Sequence, residues 1–314
     1  MSFQVGALFD LCDIVLNVDF AVLGYARRVT TRYDWLMASV ITAREFKLLL
    51  KPGLFPTKRA VLEFNKNLAK ISRKAEVEYE AFDRVDSEMR EVQFFDTPDA
   101  VFRRKHVILR LRRDRSSGWP DETWEVTFKR RSPDFRESAD FNVDTTIKDL
   151  DTRYKFKEEI IRGEKPGSIK SIFSNNLIGY YPVVNFQQTM SRIIEIFPGL
   201  KALELDPEAT VSAVNNARVF EIGARLGSYN FGKDAVAHAD LAVWTRPTVD
   251  AFHVLVAEFG WSYHMKGEAG KQQKAHEAAD DFFKALQAPL QEWLFDGTTK
   301  TALIYGEPEF AGSA

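Results

Sequence analysis

The feature that most constrains the fold is a strict alternation of apolar and charged side chains between residues 105 and 131. The segment "KHVILRLRR" sets Arg110 and Arg112 on one side, and "TWEVTFKRR" does the same with Lys129 and Arg131. The alternate positions are apolar: Val107, Leu109, Leu111, Trp124, Val126 and Phe128. Successive side chains of a strand point to opposite faces. The pattern therefore predicts neighbouring strands with one apolar face toward a core and one charged face.

Turn-rich pieces separate the predicted strands of the first β-rich part. The pieces are "DTPD", "DRSSGWPD" and "SPD", and the strands are 75–82, 91–95, 105–113, 122–131 and 135–143. Further strands are predicted between residues 185 and 263, in "QTMSRIIEIF", "RVFEIGARLG", "HADLAVW" and "FHVLVAEFGW". Short connections join antiparallel neighbours, so the pattern predicts an antiparallel sheet or barrel wall within an α+β chain.

Helices are predicted on both sides of the β-rich region. Residues 1–74 are predicted to be mostly helical, because "PTKRAVLEFNKNLAKISRK" repeats apolar residues at spacings of three and four. A second helix is predicted from Glu268 to Leu294. The chain would then divide into a helical N-terminal extension (1–74), a β-rich domain (75–263) and a C-terminal helix and tail (264–314) packed on that domain.

Composition limits the classes of function. The 314 residues carry a net charge of −2, so any site for a polyanion must come from local clustering. The one cysteine, Cys12, excludes an intrachain disulfide and a zinc site built from cysteines. The apolar stretch "LFDLCDIVLNVDFAVLGY" is interrupted by Asp10, Asp13 and Asp19, whereas a membrane span needs about 20 residues with few charges. We expect a soluble, cytoplasmic protein that binds neither membranes nor double-stranded nucleic acid.

Three glutamates lie two residues apart in the first predicted strand, "KAEVEYEAF". Glu76, Glu78 and Glu80 would crowd one face, which is unfavourable unless water, basic groups or a metal ion offset the repulsion. In an open antiparallel sheet, such charged faces lie in water. In a closed barrel they would point inward, where Arg, Lys and carboxylates together suit a metal-chelated polyphosphate. Both interpretations fit the pattern.

The ordered motifs "EVEYEAF", "FFDTPD", "LRLRR", "VTFKRRSP" and "FRESADF" resemble the CYTH, or triphosphate tunnel metalloenzyme, family. Residues 76–143 carry the resemblance. Members of this family share an eight-stranded antiparallel β-barrel that forms a tunnel, so the resemblance implies such a barrel for residues 75–263. They include inorganic and thiamine triphosphatases, RNA triphosphatases and class IV adenylate cyclases.

The resemblance implies roles for individual residues. Glu76 and Glu78, with Asp140 and Glu258 from later strands, are implied ligands of Mg²⁺ or Mn²⁺. A second group is implied to bind the triphosphate: Arg110, Arg112, Lys129, Arg131, Arg136 and Arg192. Within these sets, the implied catalytic residues are Glu78, Lys129 and Arg110.

The chain departs from the family pattern at several positions. Glu80 replaces a lysine, Ser138 replaces a glutamate, and Asp140 is a shortened acid. Glu258 lacks a second acid two residues before it, where Val256 stands. A lost ligand weakens a metal site, and phosphoryl transfer is sensitive to positioning. The resemblance implies metal-dependent hydrolysis of a triphosphate-containing small molecule. The alternatives are a non-catalytic polyphosphate- or nucleotide-binding protein of the same fold, and a class IV-type nucleotide cyclase.

Overall fold

Strands dominate the part of the chain that the structure describes. The computed structural model describes residues 41–148, 151–182, 184–232, 235–247, 252–265, 272–296 and 299–306. The strands are β1 (Ala43–Leu50), β2 (Glu78–Ala81), β3 (Ser87–Asp96), β4 (Val107–Ser116), β5 (Trp119–Pro120), β6 (Trp124–Ser132), β7 (Thr152–Arg162), β8 (Ile169–Tyr181), β9 (Gln188–Thr189), β10 (Thr210–Ala213), β11 (Val219–Asn230), β12 (Val236–Pro247) and β13 (Phe252–His264).

Helices connect and flank these strands. The α-helices are α1 (Lys58–Lys74), α2 (Val101–Arg104), α3 (Phe135–Ala139), α4 (Met190–Ile196), α5 (Gln273–Gln287) and α6 (Lys300–Tyr305). Short 3₁₀ helices span Pro52–Leu54, Pro198–Leu203 and Val214–Asn216. The chain is therefore of the α+β class.

Nine of the described strands close into a ring. Its order is β11–β12–β13–β1–β7–β8–β6–β4–β3, and β3 pairs back with β11. Every pairing around the ring is antiparallel except the pairing of β1 with β7, which is parallel. The prediction of eight strands, all antiparallel, is therefore not confirmed. The extra strand is β1, which enters between β13 and β7 from a region predicted to be helical.

The apolar faces of β1, β11, β12 and β13 point out of the ring and pack against α1 and α5. The Phe64 ring of α1 lies 5.4 Å from that of Phe259, and the Phe283 ring of α5 lies 5.5 Å from that of Trp261. Helix α1 begins where the Thr57 side chain accepts a hydrogen bond from the Ala60 amide at 3.3 Å. Burial of these aromatic side chains outside the ring leaves its opposite, polar surface inside.

A second core covers the outside of β4 and β6. Leu109, Val126 and Phe128 pack there with residues of α4 and the 3₁₀ turn that follows it. The Phe128 and Phe197 rings stack with their centroids 4.3 Å apart. The apolar face predicted for these two strands is confirmed.

Several sequence predictions of secondary structure are wrong, for local reasons. Residues 43–50 form a strand because Phe46, Leu48 and Leu50 alternate with polar positions. Residues 135–139 form a helix, which Asp134 caps by accepting hydrogen bonds from the amides of Arg136 and Glu137. Residues 190–196 form a helix because the buried residues Met190, Ile193 and Phe197 repeat at helical spacing.

Other predictions are confirmed. The strands predicted around 91–95, 105–113 and 122–131 are β3, β4 and β6, and the predicted helices correspond to α1 and α5. Residues 1–40, where further helix was predicted, lie outside the described residues. The three domain boundaries stay a prediction. No described helix combines the length and hydropathy needed to cross a membrane.

Two inner glycines give a matched test of the ring. At Gly260 on β13, an added methyl group would collide with the backbone carbonyl oxygen of Phe46 on β1, so Gly260→Ala must push the two strands apart. At Gly223 on β11, the nearest atoms to such a methyl group lie 3.9 Å away. We expect Gly260→Ala to lower the free energy of unfolding by about 1–3 kcal/mol, and Gly223→Ala to change it by less than about 0.5 kcal/mol. Urea denaturation checks this, and equal effects of the two substitutions would contradict the close approach of β1 and β13.

Candidate functional site

The charged faces predicted from the sequence line the inside of the ring. Directly opposed residues of paired strands point to the same face. Arg110 lies opposite Thr127 and Arg112 opposite Glu125, and this register continues around the ring. We call these inward side chains the inner face. Its charged members on the described strands include Glu45, Lys47, Glu88, Arg90, Arg110, Arg112, Asp114, Glu125, Lys129, Arg131, Arg153, Lys155, Lys157, Glu159, Lys170, Glu221, Arg225, Asp240 and Glu258.

Strand β4 contributes two arginines that share one carboxylate. The guanidinium nitrogens of Arg110 and Arg112 lie 3.7 and 3.6 Å from an oxygen of Glu125 on β6. Arg110 also donates a hydrogen bond to the Thr127 hydroxyl at 2.9 Å. The Nε atoms of both arginines are buried and have no hydrogen-bond partner. Because two cations share one anion, this pair has spare capacity for an anionic ligand.

A buried glutamate on β7 joins three strands. An oxygen of Glu159 lies 3.2 Å from Lys47 of β1, and its carboxylate lies 3.8 Å from Lys129 and 3.0 Å from Arg131 of β6. Although burial opposes ionisation, these cations hold the pKa of Glu159 well below its usual range. Glu159 therefore stays a carboxylate and fixes the positions of its basic neighbours.

A second carboxylate extends this network on β1. Glu45 lies 3.1 Å from Lys47 and 3.1 Å from Lys157. Burial opposes its ionisation, but Lys47 and Lys157 lower the pKa of Glu45 to about 2. Two carboxylates thus hold four cations on this side of the ring: Lys47, Lys129, Arg131 and Lys157.

On β11 and on β13, the strand that pairs with β1, two glutamates bind a lysine from the C-terminal helix. Lys300 of α6 lies 2.7 Å from Glu258 of β13 and 3.6 Å from Glu221 of β11. Glu221 also pairs with Arg90 at 2.7 Å and accepts a hydrogen bond from the indole of Trp244 at 2.5 Å. Burial opposes its ionisation, but Arg112, Lys300 and Arg90 hold the pKa of Glu221 far below its usual range.

The enclosed groups carry more positive than negative charge. Among the described ion pairs of the inner face, eight cations and five carboxylates have side chains at most 30% exposed. The cations are Lys47, Arg90, Arg110, Arg112, Lys129, Arg131, Lys157 and Lys300, and the carboxylates are Glu45, Glu125, Glu159, Glu221 and Glu258. Charge buried without a counterion is unfavourable. The excess therefore predicts an anion as the ligand of the ring.

The lowered pKa values of two basic groups are consistent with this excess of positive charge. Burial, opposed by Glu159 and assisted by Arg131 and Lys47, lowers the pKa of Lys129 to about 7. Burial and the neighbouring Arg112 lower the pKa of Arg110 to about 9. Both groups would be stabilised in their charged form by a nearby anion.

The two ends of the ring differ. One end opens into a cavity of about 520 Å³, whose charged lining includes Lys47, Arg90, Arg112, Glu221 and Glu258. This volume lies in the range of small-molecule sites. At the other end, Leu303 and Ile304 of α6 pack with apolar inner-face residues of six strands: Leu49, Val92, Phe94, Ile108, Val219, Trp244 and Val256. The helix therefore covers part of that end, where two smaller cavities of about 180 and 230 Å³ lie beside it, and the cavity of about 520 Å³ offers a ligand the most room of these three.

The structure brings one part of the sequence-predicted site together. Arg110, Arg112, Lys129 and Arg131 lie on the inner face of β4 and β6, and Glu258 lies on β13 beside Lys300. These residues lie in the charged middle of the ring. Their predicted roles stay a prediction, but their placement fits anion binding.

The structure places the other predicted residues elsewhere. Arg136 is exposed on α3 and Asp140 ends that helix, so neither lies on a strand of the ring. Arg192 is exposed on α4 and pairs with Glu195. Both helices pack outside the ring, next to the apolar face of β6 or β8.

The glutamates of "KAEVEYEAF" lie at the open end. Glu76 is exposed in a turn with φ 56°, and Glu78 accepts a hydrogen bond from the Asn230 side chain at 2.8 Å. Glu78 and Glu80 stand on the edge strand β2, which pairs with β11 outside the ring. A row of cross-strand partners connects Glu80 with Glu45, so both glutamates of β2 continue the inner face at its rim.

The predicted metal ligands do not form one group. Glu76, Glu78, Asp140 and Glu258 are distributed over a turn, an edge strand, a helix end and the ring. Among the described residues, no three His, Cys, Asp or Glu side chains are grouped so that they could hold a metal ion. The residues present do not fit the expected metal site, and no chemical step below passes through a metal.

The "FFDTPD" motif stabilises two helix positions in this chain through hydrogen bonds to Asp96. Asp96 accepts hydrogen bonds from the amides of Thr97, Phe102 and Arg103, which starts α2. Its second oxygen also accepts a hydrogen bond from the Tyr305 hydroxyl at 2.8 Å. The motif therefore attaches the C-terminal helix α6 to the ring.

Sequence analysis missed several groups of the inner face. Glu45 and Lys47 alternate with apolar residues in "AREFKLLL", and Lys157 and Glu159 stand two residues apart in "KFKEEIIR", so the alternation used for β4 applies to them too. Lys300 carries no such signal, because it lies on a short helix and reaches the ring only through the tertiary fold.

Comparisons with known proteins come from structure alone. No family model matches the chain, and no curated protein matches its sequence. A candidate adenylyl cyclase from Hippeastrum with a dominant triphosphatase activity is 12% identical with a TM-score of 0.39, over 84% of this chain and 95% of that chain. A candidate adenylate cyclase from Bacillus halodurans is 9% identical with a TM-score of 0.36, over 85% of this chain and 100% of that chain. A candidate adenylate cyclase from Vibrio parahaemolyticus is 12% identical with a TM-score of 0.31, over 84% of this chain and 98% of that chain.

The descriptions of these structures name adenylate cyclase and triphosphatase activities, which are among the activities of the family that the sequence motifs resemble. TM-scores and identities this low establish neither a shared fold nor a shared function.

The titration of Lys129 tests the electrostatics of the site. In protein with isotope-labelled lysines, NMR should detect one lysine that loses its proton near pH 7, while ordinary lysines titrate near 10.5. Lys129→Arg should remove that signal and identify it, and Lys70→Arg on the outside of α1 should leave it in place. A Lys129 signal that stays protonated to pH 9 would contradict the proposed excess of positive charge.

Proposed function

We propose that the inner face binds a triphosphate and promotes its hydrolysis. One observation carries the proposal: two enclosed arginines, Arg110 and Arg112, share one carboxylate and hold buried Nε donors without partners. Candidate substrates are inorganic triphosphate, a nucleoside triphosphate and thiamine triphosphate. The geometry supports the binding step most directly, and the order of the charged strands supports hydrolysis through the family resemblance.

Binding would use both kinds of basic side chain. The planar guanidinium groups of Arg110 and Arg112 can each donate two hydrogen bonds to a phosphate. Lys129 of β6 and Lys157 of β7 would act as point charges. Because Glu125, Glu159 and Glu45 hold these cations in place before binding, the ligand would meet a preorganised site.

In the hydrolysis step, a water oxygen forms a bond to the terminal phosphorus while the bond from that phosphorus to the bridging oxygen breaks. The products are orthophosphate and the shortened phosphate chain. Arg110 and Arg112 stabilise the charge on the transferring group. With a pKa of about 7 in the free protein, Lys129 can give a proton to the leaving oxygen at neutral pH. The protons of the attacking water stay on the orthophosphate, and Lys129 regains a proton from solvent after the products leave.

A specific observation favours a second candidate, a protein that binds a triphosphate without cleaving it. The five carboxylates of the enclosed network are all paired with cations, and no metal-binding group is present among the described residues. Phosphoryl transfer enzymes commonly use a divalent cation to neutralise developing charge. Binding without turnover would then be the function of the ring.

The test compares binding with turnover. Calorimetry would measure the affinity for inorganic triphosphate without metal, and phosphate release would be followed with inorganic triphosphate, ATP and thiamine triphosphate, with and without Mg²⁺ or Mn²⁺. We expect Arg110→Gln to lower turnover by about 10²–10³-fold while the protein stays folded, because burial already disfavours the charge of Arg110. The matched control is Arg59→Gln, which removes an arginine 87% exposed on α1.

The outcomes separate the two candidates. Phosphate release that is lost in Arg110→Gln and kept in Arg59→Gln supports the hydrolase. Tight binding without phosphate release supports the binding protein. Wild-type protein that neither binds nor cleaves any of the three triphosphates would refute both. Glu78→Gln, at the rim, tests the catalytic role that the sequence resemblance gives to that residue.

A further inference from the structure

The acidic pair Glu221 and Glu258 on the inner face resembles a cation site. The two residues stand on β11 and β13, separated by β12, and both point into the ring. Their side chains are only 3% and 18% exposed. The hydrogen bond from the Trp244 indole fixes the orientation of Glu221. Two carboxylates plus phosphate oxygens are a common ligand set for Mg²⁺.

A protein cation already lies between these two carboxylates. The ammonium nitrogen of Lys300 lies 2.7 Å from one and 3.6 Å from the other, and 4.9 Å from the centre of the Trp244 ring. The Lys300 side chain is 15% exposed. The Lys300 ammonium is therefore enclosed together with the two carboxylates, unlike that of a surface lysine.

The position of Lys300 is set by contacts of its own helix. Leu303 and Ile304 pack in the apolar end of the ring, and the Tyr305 hydroxyl bonds to Asp96. The Ile304 carbonyl accepts a hydrogen bond from the Asn215 side chain at 2.9 Å. These contacts hold α6 in the ring independently of the charge on Lys300, so the ammonium is delivered to the acidic pair by the fold.

We propose that Lys300 is an internal cation that takes the place of a divalent metal ion between Glu221 and Glu258. In this chain Lys300 and Arg90 together balance the two negative charges of the acidic pair, so no metal ion is needed to offset them. The disagreement with the metal site expected from the sequence then has a physical cause. The metal is displaced by a covalently attached charge at an enclosed carboxylate pair that could have contributed to holding it.

The consequence concerns the ligand. A triphosphate would meet Lys300 as a further positive group on the acidic side of the ring, opposite the basic residues of β4 and β6. This consequence rests on the proposed function: binding of a triphosphate by the wild-type chain should be independent of Mg²⁺. The occupation of the acidic pair by Lys300 does not rest on it and can be tested without any phosphate.

The experiment measures Mn²⁺ alone by electron paramagnetic resonance, without triphosphate. Lys300→Met removes the ammonium and keeps the length of the side chain, so the freed carboxylates should bind Mn²⁺ about tenfold or more tightly than wild type. Lys300→Arg keeps the charge and should match the wild type. The double variant Lys300→Met with Glu258→Gln should lose the gained affinity.

A second measurement locates the ion. Mn²⁺ bound between the two acids should broaden the NMR signal of the Trp244 indole N–H in Lys300→Met and leave it unchanged in wild type. Should Lys300→Met not fold by circular dichroism, Lys300→Gln takes its place with the same expectations. Folded variants that bind Mn²⁺ no better than wild type would overturn the proposal, as would wild-type protein that itself binds Mn²⁺ beside Trp244. A failure of triphosphate binding would affect only the proposed function.

Discussion

The structure depends on how the charges enclosed by the ring are paired. A closed sheet with its apolar faces outward has to place its polar faces inside, where an unpaired charge is costly. Glu159 and Glu45 pair with enclosed lysines of β1 and β7, and Glu221 of β11 pairs with Lys300. Among the described ion pairs, cations outnumber carboxylates around β4 and β6, and this excess leaves the residual positive charge that defines the candidate site.

The helices packed outside the ring explain why the ring interior is charged and suited to an anion. The helices α1, α4 and α5 cover the outward apolar faces of the strands, where the hydrophobic core lies. Most of the inside of the ring can therefore carry charged side chains. Among the described residues, the inner face is apolar at the end that α6 partly covers. A chamber with charged walls follows from this division, and its cavity of about 520 Å³ can hold a small ligand.

The alternation of residues in β4 and β6 was sufficient to predict two strands with one apolar and one charged face, but the inward direction of the charged face was implied by the family resemblance. Closure of the ring could not be predicted from the sequence, because it depends on the pairing of β1 with both β13 and β7. Asp134 at the start of α3 did carry a readable capping signal, with Glu137 three residues later, but the family pattern favoured a strand there. The role of Lys300 could not be predicted, since no local pattern shows that a short C-terminal helix reaches the ring.

The central claim is that the ring interior, and no other surface, receives a polyphosphate. The most direct measurement is a crystal structure of the chain with a non-hydrolysable triphosphate analogue. The account predicts phosphate oxygens within hydrogen-bond distance of the Nε atoms or terminal nitrogens of Arg110 and Arg112, with the chain of phosphates extending toward the open cavity. An analogue bound only outside the ring, with the Arg110–Glu125 and Arg112–Glu125 pairs undisturbed and the interior filled by water, would contradict it.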